Sequence, residues 1–132
     1  VAGMVKGFQA TGYDAQTPFI PHGMSVILNT PAVVRVTGAA NPTRHLNAAE
    51  ALGVDIQGVD LDCAGEILRE RVIYFMRALG MPNGLGCVGY GVEDIPALVE
   101  GTLPQHRVTH LAPVSVNRDL LSSLFTSSLR IW

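Results

Sequence analysis

Hydrophobic and polar positions repeat at helical spacing along most of the chain, and no segment alternates with the period of two that marks a half-buried strand. Val1, Met4, Val5 and Phe8 fall at i, i+3, i+4 and i+7. That spacing predicts an amphipathic helix ending near Ala10, weakened by Gly3, Gly7 and Gly12. Thr11 to Ile20, with Gly12, Asp14 and Pro18, predicts a polar loop. The chain then turns apolar at Met24, Val26, Ile27 and Leu28, and again at Ala32, Val33 and Val34. A helix opened by Pro21-His22-Gly23 is expected, kinked near Leu28, because Pro31 removes a backbone donor and crowds the preceding turn. Gly38 and Asn41 mark its end.

Asn41-Pro42 is a helix-start pair, with Asn as N-cap and Pro at the first helical position. The helix it opens runs to Leu52, stops at Gly53, and carries Leu46, Ala49 and Leu52 as its buried stripe. Asp60 caps the longest predicted helix, which ends at Leu79 before Gly80 and Pro82. Leu61, Ala64, Leu68, Val72, Phe75 and Leu79 are its expected apolar face; Arg69, Glu70, Arg71 and Arg77 its wet one. Asn83 to Gly91 is glycine-rich and reads as non-helical. Ile95 to Leu103 is a helix that tolerates Pro96 in its first turn, and Pro104 to Pro113 a loop holding His106, Arg107 and His110. Asn117 caps a last helix, with Leu120, Leu121, Leu124, Phe125 and Leu129 facing inward. The fold expected is an all-α bundle of five to six helices.

Composition narrows the function classes. The chain has 132 residues, one domain by size and enough for a real core. Only 15 % of residues are charged, against about 25 % in ordinary proteins, so some apolar surface is expected to face another domain. A net charge of −2 and the lack of any Lys/Arg cluster argue against nucleic acid. Pro and Gly interrupt every candidate membrane span. Cys63 and Cys87 have no metal-type spacing and fit free thiols in a reducing cytoplasm. Val1 to Phe8 reads as the middle of a helix, so the chain is expected to be a piece of something longer.

The residues that could carry chemistry are few. Gly84-Leu85-Gly86-Cys87-Val88-Gly89 spells G-x-G-x-x-G, but a dinucleotide fingerprint follows a strand and opens a helix, and this one follows a helix and a Met-Pro stop. Turn glycines are the better reading. His106 and His110 lie four apart, yet Pro104, Thr109 and Pro113 argue for an exposed loop rather than one helical face. His45, beside Arg44, reads as a surface residue. Ser25 follows no nucleophile-elbow pattern, and Arg69 with Arg71 reads as a solvated helix face. His22 stands apart, at a helix start on the rim of an apolar body, where a neutral imidazole suits a metal. By itself it reads first as a plain helix-end residue, since one His does not make a metal site.

Three stretches together resemble the C-terminal domain of the iron-containing alcohol dehydrogenases. They are Pro21-His22-Gly23 opening an apolar helix with Pro31 inside it, Arg44 to Gly53, and Val88 to Val99 followed by Gly101 to Thr109. The last run, with the long loop before His22, is most similar to the hydroxyacid–oxoacid transhydrogenase branch. The resemblance implies a dehydroquinate synthase-like helical metal domain over residues 1–132, lacking an upstream α/β domain that binds NAD(P). It implies a metal, Fe2+ or another divalent ion such as Zn2+, held by one Asp and three His. His22 matches the last of those histidines. The preceding ligand histidine belongs to a helix just before the Thr11 loop, and none of Val1 to Pro21 is His. One ligand of four is therefore expected here, and no catalytic or cofactor-binding residue. The intact enzyme would pass hydride between an alcohol, such as a short hydroxyacid, and an aldehyde or ketone. The fragment alone is expected to hold neither metal nor NAD(P). Its expected partners are the upstream domain, a small-molecule alcohol or aldehyde, and a second copy in a homo-oligomer, with no nucleic acid or membrane. The alternative is a stand-alone helical binding module without catalysis.

Overall fold

The structure is a computed structural model that describes residues 1–14 and 16–132; Ala15, inside the loop expected before His22, lies outside the described residues. Among the described residues seven α-helices follow one another: α1 (His22–Ile27), α2 (Thr30–Thr37), α3 (Pro42–Ala51), α4 (Ala64–Ala78), α5 (Ile95–Thr102), α6 (His106–Thr109) and α7 (Arg118–Ser128). The chain is all-α, and the nearest thing to a strand among the described residues is an isolated bridge between Gln9 and Phe19. α2 packs on α4 and α7, α3 on α4, and α5 on α7.

The helices differ from the expected five to six in three places, two of which add a helix and one of which removes one. The kink expected near Leu28 is a full break. Pro31 offers no N–H to Ile27, so α2 starts afresh with Pro31 in its first turn. The Asn29 side-chain amide instead donates to the Ser25 carbonyl at 2.9 Å, and Thr30 Oγ1 to that of Val26 at 3.0 Å. α6 is one turn inside the expected Pro104–Pro113 loop. The first predicted helix, Val1 to Ala10, is absent. Gly7 sits at φ +96° and the Tyr90 hydroxyl donates to the Val1 and Met4 carbonyls, at 2.6 and 2.8 Å. Val1, Val5 and Phe8 still pack against the core, but from a turned strap.

Caps lie where side chains announce them. Asn41 Oδ1 accepts from Arg44 N–H, Asp60 Oδ1 from Asp62 N–H and Asn117 Oδ1 from Leu120 N–H. The Asp60 cap opens a 3-10 turn, Leu61–Cys63, before α4 proper. The buried stripe of α4 is Ala64, Gly65, Leu68, Ile73 and Met76. It is turned from the expected face, so Leu61, Phe75 and Leu79 are exposed, and Leu52 of the α3 stripe is exposed too. Asn83 to Gly91 holds a 3-10 turn, Leu85–Val88.

Candidate metal centre

His22 is the first residue of α1, and Pro21 before it, at φ −52° and ψ 139°, delivers the chain in an extended conformation. Two buried residues fix this corner: Ile20 on one side, 2 % exposed, and Leu28 on the other, fully buried. The buried Ser25 hydroxyl donates to the His22 carbonyl at 2.7 Å and ties down the first turn. The imidazole itself is exposed and has no hydrogen-bond or ion-pair partner among the described residues. A free, exposed imidazole on a pinned backbone fits one position of a metal's coordination shell. Among the described residues no group of three or more His, Cys, Asp or Glu could hold a metal ion. A resident metal would therefore draw its remaining ligands from beyond these residues.

The other histidines behave differently. His45 is engaged at both ring nitrogens: Nδ1 donates to the Asn41 carbonyl at 2.8 Å, and Nε2 meets Thr37 Oγ1 at 2.9 Å. It is a half-buried staple between the end of α2 and the start of α3, not a mere surface residue. His106 and His110, expected on an irregular loop, share one face of α6 with ring centroids 4.7 Å apart. The glycines of Gly84–Gly89 serve close packing. Gly86 N–H donates to the Leu129 carbonyl at 2.9 Å, and a Cβ at Gly84 would come within 2.5 Å of the Ser128 oxygen. Arg69 and Arg71 also do more than face water. Arg69 donates to the Ile131 carbonyl at 3.2 Å, and Arg71 to that of Leu52 at 2.6 Å while stacking over Tyr74 and Phe75. Cys63 and Cys87 are exposed free thiols.

A clasp around the first residues escaped the sequence. Lys6 pairs with the buried carboxylate of Asp94, which also accepts from Gly91 N–H at 2.9 Å. The Lys6 ammonium, then the Gly91 N–H, hold the Asp94 carboxyl below its usual range. The Asp94 hydrogen bond in turn raises Lys6. Burial, then the Asp94 charge, push the Tyr90 phenol up, and Lys6 opposes them. A buried Tyr needs a partner for its hydroxyl; flanking glycines gave no hint that the partners would be Val1 and Met4. The clasp brings Val1 beside Ser25, Val26 and Asn29, where they line an apolar groove of about 490 Å³. A second groove, about 360 Å³, runs from Gly23 past Ile27 and Leu52 to Phe75 and Leu79.

A Pro-His-Gly corner that opens a broken apolar helix in an all-α domain defines the class. The pattern of the Fe-containing alcohol dehydrogenase family, C-terminal, matches residues 16–129, and the chain belongs to that family. It is 46 % identical over 132 residues to the mitochondrial hydroxyacid-oxoacid transhydrogenase of Xenopus laevis, and 42 % to that of Homo sapiens. It is 44 % identical over 133 residues to a probable mitochondrial hydroxyacid-oxoacid transhydrogenase of Dictyostelium discoideum. Each match covers all of this chain, but the chain spans only 28 %, 28 % and 24 % of those proteins. No solved structure matches.

Proposed function

We propose that this chain is the helical, metal-carrying part of an iron-dependent, NAD(P)-linked oxidoreductase that moves hydride between a short hydroxyacid and an oxoacid. The observation that carries the reading is the free imidazole of His22, on a pinned corner of a domain matched end to end by transhydrogenase relatives. A divalent metal would supply a Lewis acid for the substrate oxygen, and the nicotinamide a hydride carrier. The part of this chain is to hold one ligand still. Ile20, Ser25 and Leu28 fix the His22 backbone, and Pro21 aims it outward.

The missing ligands and the NAD(P)-binding domain are assigned to residues upstream, in keeping with the small share of each relative that the chain spans. The Lys6–Tyr90–Asp94 clasp supports the assignment, because it brings Val1, and so whatever precedes it, alongside α1. The apolar surface of Leu52, Phe75 and Leu79, next to Gly23, suits a face covered by that domain. The relatives' names specify mitochondria, and that compartment, rather than the cytoplasm, is the one to test first. No helix among the described residues is long and apolar enough to cross a membrane.

The test is His22→Ala in the intact protein, with metal content by mass spectrometry beside steady-state rates. Loss of one ligand and of the geometry that aims the substrate oxygen should cost at least about a hundredfold in turnover, with cofactor binding largely kept. His45→Ala should keep the rate, because both His45 nitrogens are already spent on protein contacts. Wild-type metal content and rate in His22→Ala would reduce His22 to a helix-end residue.

A further inference from the structure

His106 and His110 are one α-helical turn apart, and His110 N–H donates to the His106 carbonyl at 3.1 Å. Gln105 anchors the turn: its carbonyl accepts from the Val108 and Thr109 N–H groups at 2.9 and 3.0 Å. The two rings stack at 4.7 Å between centroids with a 34° tilt. Both residues are exposed, and neither ring has a hydrogen-bond or ion-pair partner among the described residues. His45, by contrast, has no nitrogen to offer.

We propose that His106 and His110 form a two-imidazole chelating site for a divalent transition-metal ion of borderline softness, separate from the His22 centre. Metal–nitrogen bonds of about 2.0–2.1 Å to two cis ligands put the donor atoms roughly 3 Å apart, which two neighbouring exposed rings can reach by rotating about χ1 and χ2. Histidines at i and i+4 on one helical face are the spacing that does this. With two protein ligands the ion keeps water at its other positions, so the site takes Cu2+ in preference to Ni2+ or Zn2+, in the order set by ligand-field stabilisation. Binding also staples a four-residue helix too short to be stable on its own. Val108 of that turn lines the groove shared with Val1 and Ser25, so the staple stiffens its wall.

The experiment is titration of the intact protein, its resident metal already loaded, with Cu2+ and separately Zn2+. It is followed by calorimetry, by the nitrogen couplings in the Cu2+ electron paramagnetic resonance spectrum, and by hydrogen exchange over residues 105–112. One further Cu2+ per chain, two nitrogen ligands and slower exchange in that segment are expected. His106→Ala and His110→Ala should each weaken binding about a hundredfold, the low end of what an intramolecular second contact adds. Ala favours helix, so these variants keep the turn. Equal affinity in wild type and both variants would overturn the proposal. So would loss only in the double variant, which would mean two independent single-ligand sites.

Discussion

The end of α2, at its C-cap Gly38, crosses α4 at Gly65 with no side chain between the two backbones. A Cβ at Gly38 would stand 2.4 Å from Gly65 Cα and 2.7 Å from Gly65 N. A Cβ at Gly65 would stand 2.7 Å from the Arg35 carbonyl oxygen. Neither glycine has a positive φ, so Ala is allowed conformationally and only space opposes it. Gly38→Ala therefore has two opposed effects. Ala in helical conformation gains up to about 1 kcal/mol over Gly. Relief of the contact demands about 1 Å of backbone separation, and overpacking against backbone sits at the upper end of its range, about 3 kcal/mol. The net loss is about 2 kcal/mol. With an unfolding entropy of ~2.1 cal/mol/K per residue, that lowers Tm by about 7 °C for this chain. Gly101→Ala is the control: it is an exposed position in α5 whose nearest neighbour, Met4 Sδ, is 4.0 Å away. It should raise Tm by about 2–4 °C from helix propensity alone. Calorimetry of the three proteins decides it. An unchanged or raised Tm in Gly38→Ala would show that α2 and α4 can separate freely, and the close-packed crossing would be wrong.

Three further outcomes follow from the contacts. Tyr90→Phe removes the hydroxyl that donates to the Val1 and Met4 carbonyls, leaving Val1 only the Met4 N–H, costs about 1–2 kcal/mol, and speeds hydrogen exchange in residues 1–8; unchanged exchange there would dismiss the clasp. Asn83→Ala removes the oxygen that accepts from Ile131 N–H and Trp132 N–H, both at 2.9 Å, and should cost about 1–3 kcal/mol in a denaturant titration. Asp94 has a lowered folded pKa, so its share of stability is present above its ordinary value of 3.8 and is lost as pH falls through the folded value. Lys6 is raised, so its share is present below 10.5 and is lost as pH climbs through the folded value. The Tm gap between wild type and Asp94→Asn should therefore be level near neutrality and close in acid; a gap that persists below the folded value would mean the charge is irrelevant.

What could be read from the sequence was local. Asn41, Gly53, Gly80 and Asn117 mark helix ends because a cap bonds backbone within a few residues of itself. The strap of Val1 to Phe8 was misread because its apolar spacing suits a helix, whereas its carbonyls go to a tyrosine 86 to 89 residues away. The face of α4 was misjudged because apolar residues surround that helix; Gly65 at the α2 crossing, rather than apolar count, sets which side turns in. α6 was hidden by Pro104 and Thr109, yet Pro104 precedes the N-cap Gln105 and leaves the turn intact. His22 was legible as a helix-start corner from Pro21 and Gly23, whereas the freedom of its ring and the pinning of its backbone exist only in three dimensions.

The corner at His22 also shows where its precision comes from. α1 has six residues, too few to hold a helix by its own hydrogen bonds. It breaks from α2 at Asn29, so α2 cannot serve as a stiff extension. What remains is tertiary: Leu28 and Ile20 sunk in the core, the Ser25 hydroxyl on the His22 carbonyl, and the Tyr90 clasp that lays Val1 along the same groove. A coordination bond tolerates errors of a few tenths of an ångström. Ligands drawn from separate segments therefore need each segment fixed to the same body before the metal arrives. With His22 a ligand, as proposed, Tyr90, Lys6 and Asp94 would act on metal affinity through position alone, because they hold Val1 at a set distance from α1. Tyr90→Phe in the intact protein should then weaken metal binding more than it lowers the turnover of the fraction that remains loaded. An equal loss in both would place the effect of the clasp on the chemistry itself, and not on assembly of the site.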